Sequence, residues 1–269
     1  KRIVFYFFTA LFVFLVSSCK KQEMETEVLN YENEFLLNSQ DSTLGSLSFL
    51  AEVEVPVKYH NQEVLKNVKQ QIITKVLGEV YNNYPLDSIL SQYGSMLFQE
   101  YKKSNEPYLN RIVDLKGSRA FLDNEITIQG TVMYLDDKIL SYSYERYAYM
   151  GGAHGNSTRF LSNFDLKNAH TITEKELFTN NYESILAQLI KEQIVEDNAE
   201  MESVADLNDF DFYEDRIKPN NNFFITPDGL AYVFNPYDIA PYSTGQIGVL
   251  ITYDKLKSIL KQGNPIEYL

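Results

Sequence analysis

Leu47, Phe49, Ala51, Val53, Val55 and Val57 alternate with mostly polar neighbours, and this period of two predicts a half-buried strand over 46–58. From Asn61, a residue suited to cap a helix, the period changes. Val64, Val68, Ile72, Val76 and Val80 recur at every fourth position, flanked by Leu65, Ile73 and Leu77, which predicts a helix with one apolar stripe. Behind Pro85 and the cap residue Asp87, a second helix carries Ile89, Leu90, Tyr93, Leu97 and Tyr101 on one side. Gly94 weakens it, and Ser104 to Pro107 ends it.

Alternation returns with Ile126, Ile128, Gly130, Val132 and Tyr134, turns at Asp136-Asp137-Lys138, and continues through Leu140, Tyr142 and Tyr144 as a long antiparallel hairpin. Its second strand stops at the glycines of 151–155, and a third strand returns through Phe160 to Leu166. Thr173-Glu174-Lys175-Glu176 has the spacing of a capping box before Leu177. A helix over about 181–198 buries Ile185, Leu186, Leu189, Ile190 and Ile194. Phe223–Ile225 and Leu230–Phe234 flank Pro227-Asp228-Gly229 as a second hairpin. Ile247–Thr252 supplies a last strand before a short helix at 253–261. The expected class is α+β, an antiparallel sheet with packed helices in two small lobes, 46–104 and 105–269.

The first residues read as an address. Lys1 and Arg2 precede an apolar run from Ile3 to Val16, shorter than the roughly 20 residues that span a bilayer, and small residues follow. Residues 1–18 are therefore expected to be a signal peptide. Val16-Ser17-Ser18-Cys19 resembles a lipobox, which makes Cys19, the sole cysteine, the expected lipid acceptor and the membrane its first partner. Residues 19–45 are polar and acidic and are expected to be a tether. The implied location is the bacterial cell envelope, lipid-anchored in the outer membrane and facing the periplasm or the surface.

Charge and scarce chemistry narrow the function further. Lys and Arg number 24 against 37 Asp and Glu, a net charge of −13 that becomes 22 − 37 = −15 once Lys1 and Arg2 are removed. Such a chain does not bind nucleic acid through its charge and suits a basic partner. One cysteine allows no internal disulfide, and three histidines are a small stock for a metal centre, so no metal and no cofactor are expected.

Three stretches could carry function. In Tyr147–Asn156, Gly151, Gly152 and Gly155 let the backbone turn sharply, while His154 and Asn156 either meet a ligand or hold a strand corner. Gly152→Val is expected to strain that turn. In Phe234–Gly245, Tyr237 and Tyr242 framed by Pro236 and Pro241 are either rigid binding anchors or plugs for the sheet ends. Glu196–Asp215 holds nine carboxylates and no Lys or Arg, without the glycine and distal Glu of a calcium loop, and reads as a solvated acidic loop.

Tyr149-Met150-Gly151-Gly152-Ala153-His154-Gly155, Asn163-Phe164-Asp165-Leu166 and Phe234–Gly245 resemble the Y-x-G-G-A-H-G, F-D-L and F-x-P-Y-E-I-A-P-Y-A-x-G motifs of one family. It is the extracellular domain of the lysozyme-responsive anti-sigma factor RsiV, also the accessory region of the peptidoglycan deacetylase PdaC. The resemblance spans about 46–262, with Asp238 for the usual Glu and Ser243 for the usual Ala. It implies an envelope-facing binding domain that recognises a protein, such as a lysozyme-like enzyme, or peptidoglycan fragments. Sigma-factor binding is not expected, since only Lys1 and Arg2 precede the apolar run. Deacetylase chemistry is not expected either, since His60, His154 and His170 lack the pairing of a metal-dependent domain. The competing expectation is a hydrolase or transferase acting on cell-wall glycan, with carboxylates converging on His154.

Overall fold

A computed structural model describes residues 24–112 and 120–269. The signal segment and Cys19 lie outside the described residues. The chain runs β1 (Glu25–Leu36), β2 (Ser46–Lys58), α1 (Gln62–Val76), α2 (Leu86–Ile112), β3 (Asn124–Leu135), β4 (Ile139–Met150), β5 (Asn156–Asp165) and β6 (His170–Ile172). It continues with α3 (Glu174–Leu177), α4 (Tyr182–Asp197), β7 (Phe223–Ile225), β8 (Gly229–Phe234), β9 (Ile247–Thr252) and α5 (Tyr253–Leu256). Strands β1 to β6 form one sheet in sequence order, and β7 to β9 form a second. Every pairing is antiparallel except β2 with β3, which the α1–α2 pair makes parallel by carrying the chain across. The class is α+β.

The tether expected over 19–45 is corrected by β1, which pairs with β2 along its whole length from Glu25 to Leu36. Leu29, Tyr31 and Phe35 face the core at alternate positions, but Asn33 interrupts the series and Val28 is exposed, so the polar residues hid the pattern. An edge strand draws much of its order from the backbone ladder and needs few apolar side chains. Tyr31 packs on Phe49 at 5.6 Å, and Phe35 stacks on Phe98 at 5.0 Å.

Asn61 caps α1 by accepting hydrogen bonds from the Glu63 and Val64 amides. The helix buries Val64, Val68, Ile72 and Val76 as expected but ends there, leaving Val80 exposed beyond Gly78. Helix α2 passes Pro107 instead of ending before it; Lys102, Lys103, Ser104, Glu106 and Pro107 are exposed, so the Lys103 carbonyl freed by the proline can meet water. A Cβ on Gly94 would sit 2.9 Å from the Phe49 ring, so this glycine lets α2 lie close against β2.

Two hydrophobic cores result, and their seam is not at residue 104. The first takes α1 and α2 together with Ile126, Ile128, Leu140, Tyr142 and Phe164 from beyond that point, so the sheet runs straight through the expected lobe boundary. The second joins α3, α4 and the small sheet. Strand β4 is buried at six successive positions from Ile139 to Tyr144, because it lies between the two cores: Leu140, Tyr142 and Tyr144 enter the first, Ile139 the second. On α4, Tyr182, Leu186, Ile190 and Ile194 are buried at every fourth position, whereas Ile185 is exposed and Leu189 partly so.

Candidate functional site

Residues 151–155 connect β4 to β5, and one glycine there is fixed by backbone geometry. Gly151 has φ +76°, and a Cβ on it would fall 2.0 Å from the carbonyl oxygen of Phe121. Gly155 is buried, and a Cβ on it would overlap the Tyr147 ring at 2.3 to 2.4 Å. Gly152 corrects the expectation: it has open space around it and no left-handed φ, so nothing local demands glycine.

The turn and the 234–245 loop, separate in sequence, form one surface. The Tyr242 hydroxyl donates to the Gly155 carbonyl at 2.6 Å, and Nδ1 of His154 lies 3.0 Å from the same oxygen. The His154 ring stacks on Tyr242 at 4.0 Å and 23°, and Tyr242 lies 5.6 Å from Tyr237 at 32°. Three rings thus stand in a row, ending at Tyr237, which is 54% exposed. Tyr237 also has φ +72°, a sparsely populated conformation for a bulky residue. Around it the Asn235 amide donates to Oδ2 of Asp238 at 2.7 Å, and the Asp238 amide donates to the Asn235 carbonyl at 3.0 Å. Pro236 and Pro241 are half-buried on either side, and Ile239 and Ala240 are buried beneath. Asn156, exposed, turns instead toward Thr158, so it stands outside the row.

A polar cluster that no sequence motif marks adjoins this surface through Gln246, which follows the 234–245 loop. Glu145 and Arg159 face each other across β4 and β5 and form a two-point ion pair, with Nε of Arg159 3.0 Å from Oε2. Ser157 and Gln246 also donate to Glu145. Partial burial pushes the Glu145 carboxyl up, but the bonds from Ser157 and Arg159 outweigh it and hold the group below the ordinary carboxylate range. The signal lay in the register of β4 with β5 across the 151–155 turn, which sets residue 145 opposite 159. His154 itself meets a carbonyl and a ring rather than a carboxylate.

Asparagine side chains weld the small sheet to β5. Asn235 accepts from the Arg159 amide at 2.7 Å and donates to its carbonyl at 3.1 Å. Asn222 accepts from the Leu161 amide and donates to the Arg159 and Val233 carbonyls. Asn163, buried, donates to Phe223 and accepts from Ile225 and Ser141. Asn235 and Asn222 stand in for peptide groups along the part of β5 that β6 does not reach, whereas Asn163 sits between β4 and β6 and sends its side chain to the backbone of β7. Nearby, buried Glu174 accepts from the Asn221 amide and the Tyr182 hydroxyl; burial raises its pKa against those bonds.

The acidic stretch is tied down rather than loose. Asp206 accepts from the Glu202 and Ser203 amides, which hold its pKa low, while Glu196 pairs with Lys255 and Glu214 with Lys191. Among the described residues no group of three His, Cys, Asp or Glu is placed to hold a metal ion, and no helix is long and apolar enough to cross a membrane.

Two family models match the chain. Residues 46–157 match the model described as deacetylase PdaC, and residues 175–254 match the one described as a protein of unknown function, DUF3298. Together they support a PdaC-like family. Over 226 residues the chain is 21% identical to the peptidoglycan-N-acetylmuramic acid deacetylase PdaC of Bacillus subtilis strain 168, covering 82% of this chain and 46% of that protein. The chain thus spans about half the length of that curated relative. A solved DUF3298 family member from Bacteroides fragilis NCTC 9343 superposes with a TM-score of 0.84 at 23% identity, covering 91% of this chain and 96% of that one. A DUF3298 protein from Pseudomonas aeruginosa PAO1 gives 0.55 at 17% identity, covering 88% and 94%. At these identities the structures establish a shared fold.

Proposed function

We propose that the protein is a non-enzymatic, lipid-anchored module of the bacterial cell envelope that captures a cationic protein, a lysozyme-like enzyme being the first candidate. The observation that carries this reading is the row of His154, Tyr242 and Tyr237, ending in a half-exposed ring on a strained backbone. Tyrosines fixed in this way offer contact area with little entropy left to lose, which is what an interface anchor requires. Strain held at an exposed loop is more economically explained by a binding role than by packing, since Tyr237 leaves about half of its surface open to solvent. The net charge of −13 adds attraction for a basic partner at long range. The similarity to a peptidoglycan deacetylase supports the envelope, and the resemblance of the Tyr149–Gly155 and Phe234–Gly245 motifs to those of the RsiV extracellular domain makes lysozyme the first candidate.

Lysozyme immobilised on a sensor surface tests this. The protein is expected to bind saturably, with an association rate that falls as salt is raised and a dissociation rate that hardly changes. Absence of saturable binding at low salt would remove lysozyme as the partner. The anchor is tested separately: Cys19→Ala is expected to abolish palmitate labelling and release the protein from membranes, and labelling that persists in that variant would refute the lipid site.

A further inference from the structure

Strand β1 closes one side of the six-stranded sheet, and among the described residues no strand lies beyond it. It is the longest of the sheet edges, with 12 residues against 3 in β6, 3 in β7 and 6 in β9. Its register with β2 is unbroken from Thr26 to Leu36, and it contains no proline. Such an edge leaves alternate backbone N–H and C=O groups without a strand partner and can receive one more strand. Helix α2 covers only the face on which Phe35 meets Phe98. Glu27, Val28, Asn30, Glu32, Asn33 and Glu34 are exposed, Val28 at 50%, which leaves the edge itself open.

The side chains choose the occupant. Strand β1 carries four glutamates and no lysine or arginine. Glu25 pairs with Lys58, and Glu34 accepts from the Ser46 hydroxyl at 2.8 Å, whereas Glu27 and Glu32 have no partner among the described residues. Glu32 and Glu34, two residues apart, stand on the face opposite Tyr31 and Phe35, and Glu52 on β2 extends that face beside Asn30. A second copy of β1 is a poor occupant, because its own glutamates would meet these. We propose that β1 takes up an extended segment of a partner protein with Lys or Arg at alternate positions, which adds to the sheet as a seventh strand. The backbone ladder would hold the segment, and cations two residues apart would meet Glu32 and Glu34 across the new pairing. The inference goes beyond the capture of a folded protein by the ring row, since it uses neither Tyr237 nor the 234–245 loop.

Synthetic peptides separate an added strand from attraction by charge alone. The probes are a fluorescent peptide of alternating Lys and Thr, the same peptide N-methylated at every residue, and a peptide of alternating Glu and Thr. N-methylation keeps the charge and removes every backbone donor. The unmodified Lys-Thr peptide is expected to bind saturably, about tenfold or more tighter than its N-methylated form, and to slow hydrogen exchange at alternate amides of β1. The exposed double substitution Glu32→Gln and Glu34→Gln, checked for an unchanged melting temperature, is expected to weaken that peptide about threefold or more. Tyr237→Ala is expected to leave its binding unchanged, so failure here and failure of lysozyme capture are separate results. Absence of saturable binding, equal binding of the two Lys-Thr peptides, or equal binding of the Glu-Thr peptide would overturn the inference. So would β1 amides that exchange at the same rate with the peptide at saturation, or that are already protected by self-association of the protein.

Discussion

Gly151 and Gly152 are adjacent and look alike in sequence, yet only the first is held by its surroundings. Gly151→Val forces a β-branched residue into a left-handed backbone and against the Phe121 carbonyl, and is expected to cost at least about 1–3 kcal/mol. Gly152→Val is expected to leave Tm nearly unchanged, and equal losses for both in chemical denaturation would contradict the geometry. The glycine motif was legible, but which glycine matters depends on Phe121, distant along the chain, and no local pattern encodes that contact. The meeting of His154 with Tyr242 was illegible for the same reason, although both residues stood out as candidates. Glu145 gives a pH signature. Its folded pKa lies below the ordinary 4.5, so its stabilising effect is complete above that value and is lost as pH falls through the lower folded value. Glu145→Gln should therefore cost stability at neutral pH and little at the acid end of that window. A variant whose deficit is the same at both pH values would refute this assignment.

Elements with strong periodicity were readable: β2, α1, the β3–β4 hairpin and β7 to β9 occupy the positions their alternation or four-residue repeat indicates. The capping box at Thr173 is also present. What escaped was stabilised from outside the element. Strand β1 is ordered by its ladder to β2, and its polar face concealed it. Deleting residues 25–36 should expose the edge of β2 along with Phe49, and the truncated protein is expected to aggregate or lose its cooperative transition. A soluble deletion variant with an unchanged melting curve would restore the tether reading. The seam between the two sheets makes a further prediction. Asn163→Ala leaves the Ile225 amide and Phe223 carbonyl buried without their partner, at a cost of about 1–3 kcal/mol for each unsatisfied group. Asn156→Ala, at an exposed site, serves as the control and should be nearly silent in the same thermal melts.

At the scale of the whole molecule, the two cores share β4, so the halves are not independent, and the surface row of aromatic rings sits where a loop of the small sheet meets the β4–β5 turn of the large one. A surface assembled this way keeps its shape only while both sheets are docked. Net acidity is spread over the chain, but the densest acidic stretch is partly neutralised by Lys191 and Lys255, so long-range attraction draws on the total charge more than on that segment. Attraction and anchoring should then separate, with salt acting on approach and Tyr237 on retention. The most direct measurement is the dissociation rate of the Tyr237→Ala variant from immobilised lysozyme, compared with the unsubstituted protein at equal Tm. The account predicts an increase of about tenfold or more, equivalent to losing roughly 1.4 kcal/mol or more of contact energy, with the association rate nearly constant. An unchanged dissociation rate in a folded Tyr237→Ala variant would contradict it.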